Sequence, residues 1–368
     1  MRKLLAIAAL AALGVSTAAA QSSWTRELGI EGGYAKVKPA GTGANDAINL
    51  FDIPGGSFAL YSSLGGGSVF AILPWRNKLA IEMQLTGTQL NLGGTPVTTA
   101  RLGLRGDYAL TPQIYAAVGG VLHYIDGLGT NETMQLGVQA GLGYRRRLTN
   151  TMNGRLEGNF TATNKKLLGA LDVYSIRLGI SSSLGGGKMA AASRSANNRS
   201  WQPAIGFNAG YQNMHLVGTG TDAGGLSFPG LGGSLGDLGL PFAPTPTMFV
   251  IIPVGQKLAL EPGVDFHSYS PPGGPSVKVF NLAARFDYAM SGNWYGAAGG
   301  HMVQFSPSGG GGGSTNGADV AWGYRFHLGG AFGGRLEANY SLTAKSSKLG
   351  TPAVNTLSVL FGAMMPLK

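Results

Sequence analysis

Gly154-Arg155-Leu156-Glu157-Gly158-Asn159-Phe160 recurs 180 residues later as Gly334-Arg335-Leu336-Glu337-Ala338-Asn339-Tyr340. On an extended strand, successive side chains point to opposite faces. Arg155, Glu157 and Asn159 therefore share one face, and Leu156, Gly158 and Phe160 the other. The stretch predicts a strand with one charged face and one apolar face, used twice in the chain.

The repeat extends well beyond this stretch. Trp24 and the run to Tyr34 return as Trp201 and the run to Tyr211, and Lys78-Leu-Ala-Ile-Glu82 returns as Lys257-Leu-Ala-Leu-Glu261. Arg105-Gly-Asp107-Tyr108 becomes Arg285-Phe-Asp287-Tyr288, Gln113 to Gly120 becomes Asn293 to Gly300, and Gly143-Tyr-Arg145 becomes Gly323-Tyr-Arg325. A repeat this long makes each half an architectural unit. The expected division is a signal peptide at 1–20, a first repeat at 21–184, a Gly/Ala/Ser linker at 185–200 and a second repeat at 201–368.

Period-two alternation is the strand signal in both halves. In the first half it predicts eight strands: Leu28 to Tyr34, Val69 to Leu73, Lys78 to Asn91, Thr99 to Leu110, Gln113 to Ile125, Thr133 to Arg146, Gly154 to Thr163 and Asp172 to Ser182. Lys38 to Gly67 and Met214 to Thr247 read as long loops, and Pro74 to Asn77, Leu110 to Pro112 and Leu148 to Asn153 as tight turns. Short turns at one end and long loops at the other describe an antiparallel barrel held in a membrane.

Composition narrows the class further. Arg2 and Lys3, the apolar run Leu4 to Val15 and Ala18-Ala19-Ala20 have the form of a cleaved secretory signal. No other stretch reaches the roughly 18 apolar residues of a spanning helix, so a membrane location requires strands. Cysteine is absent, which leaves an exported chain no disulfides to rely on. The 62 glycines lack the Gly-X-Y period of collagen. Only 12% of residues are charged against 44% hydrophobic, a poor surface for a soluble exported protein and a suitable one for contact with lipid.

Which face is inside decides between a soluble sandwich and a membrane barrel, because the first hides its apolar face and the second its polar face. The charges on the polar faces nearly cancel. Glu27, Glu31, Glu82, Asp107 and Glu157 stand against Arg101, Arg105, Arg145, Arg155 and Arg177 in the first half, and Glu261, Asp265, Asp287 and Glu337 against Arg285, Arg325 and Arg335 in the second. Buried charges must be paired or they cost several kcal/mol each, so balance suits an enclosed interior. The expected interior charge network is Glu82, Arg105, Asp107, Arg145, Arg155, Glu157, Glu261, Arg285, Asp287, Arg325, Arg335 and Glu337. Aromatic residues near predicted strand ends, Trp24, Tyr34, Trp75, Tyr108, Tyr144, Phe160 and Tyr174, suit membrane interfaces.

With these features in place, each half resembles an eight-stranded outer-membrane β-barrel of the OmpA-like or OmpX-like superfamily. The resemblance implies an all-β, transmembrane, antiparallel up-and-down barrel in the cell outer membrane of a diderm bacterium, with termini on the periplasmic side and loops at the cell surface. Two features depart from that pattern: the chain ends Met364-Met-Pro-Leu-Lys368 rather than on an aromatic residue, and Pro262 falls within a predicted strand, where it removes a ladder donor. About sixteen strands can close as two small barrels filled by side chains or as one large barrel with an aqueous channel, and both remain open at this level.

No catalytic, cofactor or metal site is expected. The five histidines, His123, His215, His267, His301 and His327, do not recur at matched positions and form no HExxH motif. The expected role is structural or in surface interaction through long loops; the alternative is a passive diffusion channel. The expected partners are outer-membrane lipids and a surface ligand or envelope polysaccharide, reached by basic residues at the barrel rims. Nucleic acid is excluded by export and by the scatter of those residues.

Overall fold

A computed structural model describes residues 24–53, 68–92, 95–127, 133–149, 152–184, 201–219, 221–228, 246, 248–329 and 332–367. The expected signal peptide at 1–20 and linker at 185–200 lie outside the described residues. The first half contains β1 (Glu27–Pro39), a single 3-10 turn (Ala44–Asp46), β2 (Ile48–Ile53), β3 (Ser68–Arg76), β4 (Leu79–Leu92), β5 (Thr95–Ala109), β6 (Ile114–Asp126), β7 (Met134–Arg147), β8 (Met152–Thr163) and β9 (Leu171–Ser183). The second contains β10 (Ala204–Leu216), β11 (Thr221–Phe228), β12 (Met248–Pro253), β13 (Leu258–Ser270), β14 (Val277–Ala289), β15 (Trp294–Pro307), β16 (Gly313–Gly329), β17 (Phe332–Thr343) and β18 (Val354–Pro366).

Among the described residues the strands number eighteen rather than sixteen, all antiparallel, because the second strand of each half is broken in two. This also corrects the reading of Lys38 to Gly67 and Met214 to Thr247 as loops: β2 lies in the first, and β11 and the end of β10 in the second. The alternation of β2 and β11 is too brief to register against their Gly- and Ser-rich flanks.

The break has a topological consequence. At the end carrying the tight turns, β1 pairs with β3 and with β9, so β1 and β3 to β9 close on themselves. There β10 likewise pairs with β12 and β18 and closes the second half. At the loop end, β2 takes the upper part of β1 on one edge and β13 of the other half on its opposite edge, through Phe266–Ile53 to Ser270–Asn49. Reciprocally, β11 pairs with β10 and with β4, through Ala223–Leu92 to Phe228–Gly87. Each half therefore lends a short strand to the other half's third long strand, and the loop-end strands run as one ring around both.

Below this exchange the halves touch through their outer faces. Ile30, Val69 and Met152 of the first half form one buried apolar cluster with Phe207, Phe332, Ala363 and Met365 of the second. Elsewhere the outward faces are apolar and open: Leu104, Val118, Leu136, Leu142, Leu178 and Trp322 are each more than half exposed. The inward faces are polar and buried. On β8 the alternation is explicit, with Arg155 at 7%, Glu157 at 0% and Asn159 at 6% against Leu156 at 45%. This is the reverse of a soluble sandwich.

Most aromatic residues singled out near strand ends point outward, Trp75, Tyr144 and Tyr174 among them, but Trp24 does not. It is buried at the turn end of the first lumen, where its Nε1 donates to the Lys78 carbonyl at 3.2 Å. Pro262 lies inside β13 and keeps its place opposite Ala284 of β14. On the other edge, the β12–β13 register carries Phe249–Gly263 and Ile252–Leu260 and no pair at Glu261 or Pro262. The missing N–H thus interrupts one ladder and leaves the strand intact.

Candidate functional site

Each turn-end lumen is crossed by a layer of charged side chains carried on alternate strand positions. In the first half, Arg105 on β5 reaches across β6 and β7 to Glu157 on β8, with Nη1 donating to Oε1 at 2.6 Å, and also meets Glu82 at 3.0 Å and Asp107 at 3.1 Å. Arg155 on β8 donates to Glu82 on β4 and Glu31 on β1. Because Arg105–Glu157 and Arg155–Glu82 join strands that are not neighbours, these pairs bridge the lumen rather than line it. Eight strands leave an interior just wide enough for such side chains.

The second half repeats most of the layer at matched positions. Arg285 on β14 makes two bonds of 2.6 Å to Glu337 on β17 and meets Glu261 at 2.9 Å and Asp287 at 3.2 Å, while Arg335 donates to Glu261. All eleven of these residues are buried, and all but Glu31 belong to the expected network. The remaining two expected members are set apart at the turn end. Arg145 stacks 4.6 Å from the Trp24 ring and pairs with Glu27 at 3.1 Å. Arg325 lies 4.1 Å over Trp201 and has no acidic partner among the described residues; Ala204 stands where the first half has Glu27.

Aromatic residues support the layer and escaped a charge-based reading. Tyr115 donates to Glu157 and Tyr295 to Glu337, and the Trp24–Tyr115 and Trp201–Tyr295 rings pack edge to face at 5.5 and 5.4 Å. The Arg155 and Arg335 guanidinium groups lie over Phe70 and Phe249 at 3.5 and 3.6 Å. A usable signal was present, because both tyrosines fall inside the matched segments Gln113 to Gly120 and Asn293 to Gly300.

The two layers differ by one matched exchange. Arg177 meets Glu31 at 2.9 Å in the first half. By register, Gly179 sits opposite Glu31 and Gly362 opposite Asn208, which puts Asn208 at the place of Glu31 and Leu360 at that of Arg177. Acid and base are lost together, and Arg335 takes the Asn208 side-chain oxygen at 3.0 Å instead. A buried charge left without its partner would be costly, and the paired loss leaves the balance of acids and bases the same in the two layers.

Above the second layer is a cavity of about 20 Å³ lined by residues including Asn208, Pro246, Glu261, Gly263, Arg285 and Asp319. Gly263 stands where the first half has Gln84. That volume accommodates about one water molecule, so it is a packing gap rather than a passage. His301 bonds Asp319 at 2.9 Å and Thr343 at 2.9 Å. Among the described residues, no three His, Cys, Asp or Glu side chains converge on a point that could hold a metal.

No protein-family model matches the chain, and no curated relative does. Among solved structures, OpdQ of Pseudomonas aeruginosa aligns at 9% identity and a TM-score of 0.31, over 94% of this chain and 98% of that one. An outer membrane channel of Pseudomonas putida F1 aligns at 10% identity and 0.25, over 95% and 100%. Ail, the attachment invasion locus protein of Yersinia pestis, aligns at 13% identity and 0.24, over 43% of this chain and 99% of that one. TM-scores this low do not define a common fold, and the functional reading of the chain rests on the geometry of its own barrel.

Proposed function

We propose that this chain is an integral outer-membrane protein of a diderm bacterium, built from two homologous repeats of about eight strands, whose lumens are closed. Its role is structural or in surface interaction through the loop end. The inside-out strands support the membrane location: an apolar outer band around a polar interior is stable in lipid and unstable in water. The single observation that carries the closed reading is the bridging of each lumen by buried Arg105–Glu157 and Arg285–Glu337 pairs. A solute would have to separate these pairs in a low-dielectric interior, which is costly.

The alternative, a passive diffusion channel, draws on the loop-end ring formed through β2–β13 and β11–β4, which runs around both halves. Planar-bilayer conductance separates the two. The closed reading expects no large, stable, open currents from the purified protein; such currents would establish the channel. Heat-modifiable migration on a gel tests the barrel itself, with a folded form that runs differently from the boiled one.

A further inference from the structure

Arg101, on the inward face of β5, is 1% exposed, and its hydrogen bonds go from Nη2 to two neutral amide oxygens, Gln84 Oε1 and Gln139 Oε1, each at 3.1 Å. Its Nε and Nη1 are buried and have no hydrogen-bond partner. It has no ion pair among the described residues, whereas Arg105, Arg155 and Arg177, the other fully enclosed arginines of that lumen, each meet a carboxylate. The layer acids are engaged below it: Gln84, which accepts from Arg101, itself donates to Glu82 Oε1 at 2.8 Å, and Glu82 is held by Arg105 and Arg155. Beside Arg101 in register stand Thr86 on β4 and His123 on β6, with no acid at that height on either neighbour.

The same height in the second half has the opposite sign. Positions matched to Arg101, Thr86 and Gln139 carry Asn281, Asp265 and Asp319, and Asp319 is met by His301 and Ser341. One scaffold thus presents a buried guanidinium with no carboxylate bonded to it in one lumen and carboxylates in the other. A buried cation with two unsatisfied N–H groups is expensive, and neutral amide neighbours leave its charge uncancelled where carboxylates would cancel it.

We propose that the first lumen holds a small monovalent anion, of the size of chloride, against Nε or Nη1 of Arg101 on the loop side of the charge layer. The second lumen has no such site. The anion would complete the hydrogen bonding of the guanidinium and offset its local charge.

The test uses the full-length protein folded in detergent, unfolded by heat at constant ionic strength in sodium chloride, sodium bromide, sodium acetate or sodium gluconate. The expected result is a saturable rise in Tm with chloride and bromide over gluconate that Arg101→Gln abolishes and Asn281→Ala leaves in place. A rise with acetate larger than with chloride would assign the site to a carboxylate and overturn the halide. Equal Tm in all four salts, or a halide effect that persists undiminished in Arg101→Gln, would overturn the site. Should Arg101→Gln fail to fold, bromide soaked into crystals of the unaltered protein decides: an anomalous peak within hydrogen-bond distance of Arg101 supports the site, and its absence there removes it.

Discussion

The Tyr115 hydroxyl donates to Glu157 Oε2 at 2.5 Å, and the same ring presses on Gly143, its register partner on β7. Tyr295, Glu337 and Gly323 repeat the arrangement in the second half. A glycine opposite the ring is therefore a condition for the tyrosine to lie across the lumen and reach the charge layer. Gly143 and Gly323 are small for a packing reason, since a Cβ at either position would overlap the phenol ring.

Gly143→Ala and Gly323→Ala are expected to displace the tyrosine from its glutamate. Overpacking of this kind costs about 1–3 kcal/mol. The check is denaturant unfolding in micelles, with Gly158→Ala as control, because a Cβ there meets nothing within 4 Å. Equal stability of all three variants would mean that the rings have room to move.

Arg105→Gln leaves Glu82, Asp107 and Glu157 crowded in the lumen without the guanidinium that joins them. Removing one partner of a buried ionic cluster costs about 3–5 kcal/mol. The heat-modifiable gel transition should fall to a lower temperature, while bilayer currents stay absent because Arg155 still bridges the first lumen to Glu82 and Glu31. A selective pore opening in place of a stability loss would favour the channel.

The second half supplies the design of a rescue experiment. Glu31→Asn alone strips Arg177 and Arg155 of an acid, and Arg177→Leu alone leaves Glu31 with a single arginine. Each single variant should be destabilised, by roughly 3 kcal/mol, and the double variant by less than either, since Asn208 and Leu360 already coexist in the sister layer. A strictly additive double variant would show that the two residues do not act as a pair.

Much of this interior could be read from the chain before folding. Charge at every second position and its recurrence at matched places located ten of the twelve expected network members across the two lumens. Arg145 and Arg325 stand apart from the layers because a strand position fixes the face but not the height: at the turn end Arg145 meets Trp24 and Glu27, and Arg325 meets Trp201. The strand exchange was not legible for a related reason. β2 and β11 are too short and too interrupted for alternation to rise above their Gly-rich surroundings, and nothing local says which half offers the free edge. Two barrels or one was accordingly an incomplete choice, since pairing differs between the two ends of the same strands.

That exchange makes a direct prediction about covalent proximity. Phe51 on β2 stands opposite Ser268 on β13, and the Phe51 ring packs on Phe266 at 5.6 Å. The chain contains no cysteine, so Phe51→Cys with Ser268→Cys introduces one possible intramolecular disulfide. Mild oxidation of the folded protein should close it, and a protease site placed between residues 185 and 200 should then yield halves that stay joined until reduced. If each half closed on itself instead, β2 would pair with β4 and β11 with β13, residues 51 and 268 would remain reduced, and the cut halves would separate on boiling without reductant. The apolar contact of Ile30, Val69 and Met152 with Phe207, Phe332 and Met365 adds a second expectation for the same cut protein. Before boiling, the halves should migrate together even without the disulfide, because burying that cluster in each other is as favourable as burying it in lipid and the exchanged strands supply backbone bonds that lipid cannot.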